Sequence, residues 1–187
     1  MKLRLIKFKK IKSTNDIAIK LIKKNETKPT LITSLAQTRG RGTMGKKWIS
    51  QKGNLFLSIF FEINLRKISL KQFTLLNVYV LKKVINKYSK IKIIIKWPND
   101  LLIEKKKVCG ILQELIYFKN RPFLIVGIGI NTNSSPNIEN YKTTSLKNLR
   151  KKKVNNNKVL KDIKKKFEIF LKKTKNNRFH KLKNFFF

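Results

Sequence analysis

Acidic residues are scarce. Nine Asp and Glu stand against 46 Lys and Arg in 187 residues, a formal net charge of +37, which by itself points to nucleic acid or an anionic surface as partner. Arginine is scarce as well, confined to Arg4, Arg39, Arg41, Arg66, Arg121, Arg150 and Arg178, whereas bidentate reading of phosphates and bases favours it. The surplus is lysine, scattered along the chain beside abundant asparagine and isoleucine, as drift in the composition of a whole genome produces without selection for a polyanion. A solvated lysine face is the plainer reading, and no specific nucleic-acid partner is expected. One cysteine, Cys109, excludes an internal disulfide framework and a CxxC metal knuckle; in an apolar strand it reads as a small hydrophobe. The one histidine, His180, lies in a polar tail without a second ligand beside it. No stretch approaches the roughly 20 apolar residues of a membrane span. Met1 to Lys12 alternates basic with apolar residues where a signal peptide needs a continuous apolar run. A cytoplasmic protein with no membrane partner is expected.

A chain of this length with 41% hydrophobic content suffices for one domain with a core and is short for two. Leu3, Leu5, Ile6 and Phe8 alternate with basic residues as a half-buried strand does, and Ser13-Thr14-Asn15-Asp16 offers N-caps for a short helix to about Lys24. Thr30 to Ala36 reads as a buried strand and Asn54 to Ile63 as a long apolar one bounded by Gly53, with a glycine-rich basic loop over Thr38 to Lys47 between them. Leu70, Phe73, Leu76, Leu81, Val84 and Ile85 recur at helical spacing, which predicts a helix over Ser69 to Tyr88. Strands follow at Ile91 to Lys96, Leu101 to Ile103, Val108 to Phe118 and Pro122 to Ile130. The turns Glu104-Lys105-Lys106 and Lys119-Asn120-Arg121 are short enough for antiparallel hairpins. Beyond Asn131, Asn, Ser and Pro dominate through Tyr141, and Leu160, Ile163, Phe167, Phe170 and Leu171 define one amphipathic helix. The expectation is an α+β fold, a mainly antiparallel mixed sheet flanked by helices. It forms a single domain over 1–187, with a core of about 1–150 and a basic helical tail over 151–187 that ends in an unexplained Phe185-Phe186-Phe187.

Two segments carry chemistry. Gln37-Thr38-Arg39-Gly40-Arg41-Gly42-Thr43-Met44-Gly45-Lys46-Lys47-Trp48 sets three glycines and four cations between two strands. Glycine lets backbone N–H groups turn inward as an anion nest, and the cations neutralise phosphate. The spacing fits neither a P-loop nor a dinucleotide fingerprint, and a mobile surface turn is the bland alternative. Lys96-Trp97-Pro98-Asn99-Asp100 is more specific: Pro98 restricts Trp97 to extended or turned backbone, and Asn99-Asp100 offer oxygen ligands to a nucleotide-bound Mg2+ at a strand end, or a plain Asx turn. Seven residues on, Lys107 opens a strand beside Val108-Cys109-Gly110.

In this order, together with the Ser13-Thr14-Asn15 helix start, the KxxGIL.E run from Lys107 to Glu114 and Gly127-Ile128-Gly129-Ile130-Asn131-Thr132-Asn133, the chain resembles the biotin protein ligase family over roughly Lys10 to Asn133. Thr144-Ser145-Leu146 is similar too. The resemblance implies a fold related to class II aminoacyl-tRNA synthetases and a two-step reaction. The carboxylate of biotin attacks the α-phosphate of ATP, pyrophosphate leaves, and a lysine of the biotin carboxyl carrier domain of a carboxylase takes the biotinyl group from biotinyl-5′-AMP. Prearranged cations and Mg2+ stabilise the charge gathered at phosphorus. The resemblance also implies roles. Ser13, Thr14 and Asn15 match the biotin-contacting helix start, and Gln37 the amide at the biotin rings. Gly40, Arg41, Gly42 and Thr43 belong to the loop that holds the carboxyl and α-phosphate, Lys107 bridges those two groups, and Gly110 and Gly127 act by lacking a side chain. Arg41, Lys46, Lys47, Trp48, Asn99, Asp100, Lys107 and Asn131 would bind ATP, Trp48 by stacking near adenine, with Asp100 as the Mg2+ ligand. Lys107 and Arg41 are the implied catalytic residues. A homodimer is left open.

Where many members have a further basic residue this loop has Thr43. An N-terminal helix-turn-helix module and the small C-terminal β-barrel of many members are also expected to be absent, since the motifs begin by Ser13 and helices follow Asn131; an enzyme without operator binding is the expectation. A lipoate ligase or octanoyl transferase on the same fold is the nearest alternative, and would lack the KWPND and GIGIN pair in this form. A nucleic-acid-binding protein, the alternative of another class, would compete specifically for RNA or DNA at about 0.15 M salt. Thr43 yields a prediction: with one cation fewer on the reactive adenylate, free biotinyl-AMP is released during turnover without acceptor. Chromatography that finds none would sink the idea.

Overall fold

The computed structural model describes residues 1–139, 141–177 and 179–186, and side chains up to residue 182 in the last of these. Strand β1 (Arg4–Ile11) pairs parallel with β2 (Thr30–Gln37), with helix α1 (Thr14–Lys23) as the crossover. Then β3 (Leu55–Glu62) runs antiparallel to β2, and β7 (Arg121–Ile130) to β3. Outside β7 lie β6 (Lys106–Phe118), β5 (Asp100–Ile103) and β4 (Ile94–Lys96), each antiparallel to its neighbour. The order β1-β2-β3-β7-β6-β5-β4 is a mixed sheet of seven strands. Its parallel pair exists because a helix returns the chain to the starting edge, which a hairpin cannot do. The hairpin turns turn on Glu104-Lys105 and Lys119-Asn120, all four residues at positive φ, the twist that two-residue loops between antiparallel strands require.

Helix α2 (Leu70–Ile85) starts at a capping box, in which Ser69 Oγ accepts from the Gln72 amide and Gln72 Oε1 accepts from the Ser69 amide. Among the described residues three helices follow Asn131 where the sequence predicted one: α3 (Leu146–Arg150), α4 (Asn156–Asn176) and α5 (Phe179–Phe186). At five residues, α3 is too short to display a period. The side chains of Phe185, Phe186 and Phe187 lie outside the described residues.

Strand alternation divides the interior in two. Leu55, Leu57, Ile59 and Phe61 of β3, with Leu124, Val126, Ile128 and Ile130 of β7, form one face of the larger core, against α2 and α4. On the opposite face Ile32, Phe60, Phe123 and Ile125 meet Ala18 and Ile22 of α1. The larger core runs past residue 150: Val159, Leu160, Ile163, Phe167, Phe170 and Leu171 of α4 are all buried in it. Phe170 stands at its aromatic centre, its ring centroid 5.7 Å from Phe167, 6.1 Å from Phe61 and 6.4 Å from Phe73. No helix among the described residues is long and apolar enough to cross a membrane. If α4 is a wall of the core, Phe170→Ala lowers stability by about 3–5 kcal/mol. Urea denaturation checks this, and an unchanged midpoint would mean that α4 is an appendage.

Candidate active site

Beneath α1 the sheet face changes character along its strands. On β7 that face carries Phe123, Ile125, Gly127 and Gly129 in turn, and on β3 it carries Phe60 and then Ser58. Large side chains pack under the body of the helix, and small ones lie where its N-terminus ends. Gly129 stands directly opposite Gly110 of β6, and Gly127 lies between Ser58 and Leu112. Two groups occupy the space so left. A Cβ on Gly127 would meet Asn15 Oδ1 at 2.3 Å, one on Gly129 would meet Trp48 Cε2 at 2.3 Å, and one on Gly110 would meet Trp48 Cζ3 at 2.6 Å. The indole therefore lies on bare backbone.

The first turn of α1 forms a hydrogen-bonding floor. The Thr14 amide donates to Gln37 Oε1 at 2.8 Å and its hydroxyl reaches the same oxygen at 3.1 Å, while Gln37 Nε2 donates to Ser50 Oγ at 3.1 Å. Gln37 thus caps the helix that Ser13, the N-cap residue, does not cap with its own hydroxyl. The Ser58 hydroxyl contacts Thr14 Oγ1 at 2.7 Å and Asn15 Oδ1, and Asn15 Nδ2 donates to Glu114 Oε2 at 2.6 Å.

Above this floor lie two cations. The glycine loop is closed on itself by the bonds from Gly42 N to Lys46 O, 2.7 Å, and from Trp48 N to Gly40 O, 2.9 Å. Arg41 projects from it and donates to Asp16 Oδ1 at 2.6 Å and to Glu114 Oε1. Burial lowers the pKa of this guanidinium, and the hydrogen bonds and charges of Asp16 and Glu114 more than offset that, leaving it above its ordinary value. Lys107 Nζ lies 2.8 Å from Asp100 Oδ1. The same ammonium sits 5.4 Å from the Trp48 ring centroid and 5.3 Å from that of Tyr141, within cation–π range of both. Its backbone is held from both sides, Lys107 N to Lys142 O at 2.9 Å and Thr144 N to Lys107 O at 3.0 Å, so the segment before Thr144-Ser145-Leu146 fixes the lysine.

Two cavities share Trp48 and Lys107. The first is lined by Ser13, Thr14, Asn15, Gln37, Arg41, Gly42, Thr43, Asn99, Gly110, Gly127, Gly129 and neighbours. The second is lined by Ile49, Asn131, Pro136, Ile138, Tyr141 and Thr143. Trp48 Nε1 and Asn131 Oδ1 are buried without a hydrogen-bond partner, a cost that a ligand would remove. A wider groove lies elsewhere, around Phe61, Ile63, Tyr117 and Leu171.

Among the residues singled out from sequence, Gly40, Lys46, Lys47 and Asp100 line neither cavity. Gly40 supports the wall, since a Cβ there would lie 2.5 Å from Trp48 O; Lys46 and Lys47 are exposed, and Asp100 acts on Lys107. Sequence reasoning missed Asp16, Ser58, Gly129, Tyr141 and the role of Glu114. Ser58 and Gly129 could have been found from strand parity with Phe60 and Gly127; Tyr141, in an irregular segment, gave no signal. Cys109 is buried, and burial followed by the charge of Asp100 pushes its thiol well above the ordinary range, so it is no nucleophile. Among the described residues no three His, Cys, Asp or Glu side chains gather to hold a metal ion.

The model of the biotin/lipoate A/B protein ligase family matches residues 7–133. The chain belongs to that family. It is similar to the bifunctional ligase/repressor BirA of Bacillus subtilis, 38% identical over 129 residues that make up 68% of this chain and 40% of that protein. The BirA of Escherichia coli is 33% identical over 123 residues, 65% of this chain and 38% of that one. The chain therefore spans about two fifths of the length of these curated relatives. Among solved structures, the biotin protein ligase of Aquifex aeolicus in complex with biotin and ATP superposes with a TM-score of 0.78 at 33% identity, covering 97% of this chain and 75% of that one. The mixed sheet flanked by helices is that of such ligases, the class II synthetase-like fold expected from the sequence.

The bare sheet under the indole gives a test. Gly129→Ala drives a methyl into the Trp48 ring, and we expect a loss of about 1–3 kcal/mol with a shift of Trp48 emission, read in a Trp97→Phe background. Unchanged emission would show that the ring does not rest on Gly129.

Proposed function

We propose that the chain is the catalytic unit of a biotin protein ligase, 1–187 acting as one domain, which adenylates biotin with ATP and passes it to a lysine of a biotin carboxyl carrier domain. The observation that carries this reading is the sharing of Lys107 by two cavities of different chemistry. One has a neutral hydrogen-bonding floor of Thr14, Asn15 and Gln37, with Arg41 and Lys107 on its wall; the other is a second pocket walled by Trp48, Asn131 and Tyr141. A ligand with a neutral ring and an anionic tail in the first meets a nucleotide from the second at one ammonium. The likeness to ligases solved with biotin and ATP supports the same assignment.

The chemistry follows from those groups. A ureido ring has donors and an acceptor to match Asn15, Thr14, Ser13 and Gln37, whereas the apolar chain of octanoate or the dithiolane of lipoate leaves buried polar atoms unpaired, a loss that sites built for hydrogen bonds discriminate strongly. Lys107 holds the carboxylate oxygen beside the α-phosphorus and, with Arg41, stabilises the charge of the pentacoordinate phosphorus as the carboxylate–phosphorus bond forms and pyrophosphate leaves; the Gly42 amide is taken up by Lys46 O inside the loop. In the second step the neutral amine of the carrier lysine attacks the biotinyl carbonyl and AMP departs. Trp48 and Asn131 serve the nucleoside, and Thr43 lies on the wall of the first pocket. Asp100, with Asn99, offers a single carboxylate that is already paired with Lys107. That fits a Mg2+ arriving on the phosphates and not a cage built by the protein; bound there, Mg2+ would neutralise phosphate charge. A cytoplasmic setting is in keeping with one buried thiol.

The test is transfer of labelled biotin to a carrier domain with ATP and Mg2+. Lys107→Ala is expected to slow adenylation by about 10²- to 10³-fold, the scale of losing one preorganised charge donor, with far-UV circular dichroism unchanged. No transfer by the native protein, with lipoate or octanoate taken instead, would overturn the assignment.

A further inference from the structure

The run from Lys107 ends in Glu114, whose carboxylate the proposed reaction leaves unused. On β6 it lies on the face under α1, its side chain only 21% exposed. Its two oxygens act on different halves of the site. One, Oε2, accepts from Asn15 Nδ2 at 2.6 Å; the other, Oε1, accepts from Arg41 of the glycine loop. Asp16, the next residue after Asn15, takes the second guanidinium nitrogen at 2.6 Å.

The properties of these groups determine what the arrangement does. The Ser58 hydroxyl suits either end of the Asn15 amide, since it both donates and accepts, whereas an ionised carboxylate only accepts. Glu114 therefore fixes which way the amide faces, Nδ2 toward itself and Oδ1 toward Ser58. Arg41 sits between two carboxylates, so the three groups together are negative, and an anionic ligand is not drawn to Arg41 until one carboxylate lets go. Asp16 and Glu114 are anchored on α1 and β6, and through Arg41 they pin the loop to the sheet.

We propose that Glu114 is a positioning residue that joins the two halves of the site. It orients Asn15 and, with Asp16, clamps Arg41 and the loop over 38–47 until an anionic substrate group takes the carboxylate's place. The ligand in this account rests on the biotin reading; the clamp is a property of the chain.

The experiment combines hydrogen exchange of the 38–48 segment in the free protein with calorimetric binding of biotin, for the native chain and for Glu114→Ala, Glu114→Gln and Arg41→Gln. Loss of the clamp in Glu114→Ala and in Arg41→Gln should speed exchange at the Gly42 and Trp48 amides by about 10-fold or more, the response of a loop that loses its tether. Glu114→Ala should also weaken biotin about 10-fold, since Asn15 is left free to turn. Glu114→Gln keeps an oxygen for Asn15 but no charge for Arg41. It should bring biotin affinity back to within about 3-fold of native while exchange stays fast; a residue that merely filled space would move both readouts together. Unchanged exchange in any folded variant that breaks the clamp, or a Glu114→Gln affinity no better than that of Glu114→Ala, overturns the proposal. If the native chain binds no biotin, the biotin reading fails while the exchange result still decides the clamp.

Discussion

Close approach of side chains to bare backbone is the constraint on which the candidate site depends. Gly127 leaves room for the Asn15 amide, and Gly110 with Gly129 for the Trp48 indole. With a methyl group at any of the three, the helix start or the indole would have to lift from the sheet, and the cavities that share Trp48 would change shape together. The same alternation sends Ile128 and Ile130 into the opposite core. The GIGIN run is thus a strand with one apolar face and one empty face, and folding energy and binding space come from the same five residues.

Much of this was legible in the sequence because period and position are local properties. Strand alternation and helical spacing located the elements from β1 to β7 within a few residues, and the order of motifs picked out residues that the fold gathers around the candidate site. What was not legible depended on packing across the chain. The burial of α4 needs Phe61 and Phe73 as partners for Phe170, and lysine-rich composition concealed it. Gln37 was read as a ligand contact, yet its carbonyl also caps α1. Arg41 and Lys107 were read as cations facing a ligand. Each is also paired with carboxylates of its own chain, and the partners of Arg41, 25 and 73 residues away, leave no spacing to read.

Those pairs also change the electrostatic picture. In a chain of +37, Arg41 and Lys107 meet Asp16, Glu114 and Asp100, three of only nine acids. The overall charge therefore says little about the field inside the cleft, which is set first by whichever groups lie within a few ångströms. The lysines on the exposed faces and the ion-paired cluster in the cleft are separate facts about the protein.

The seven glycines also bear on how the protein could be made more robust. Replacing glycine by alanine ordinarily stiffens the unfolded chain and so raises stability, but no position here admits it without strain. Gly40, Gly110, Gly127 and Gly129 would each bring a methyl within 2.7 Å of another atom, and Gly42 would crowd Lys46 O at 3.1 Å. Gly45 and Gly53 have room but sit at φ of +73° and +90°, where a side chain is itself strained. The usual entropic route to a hardier variant is therefore closed along the whole chain, and improvement would have to come from its helices and lysine-covered surface.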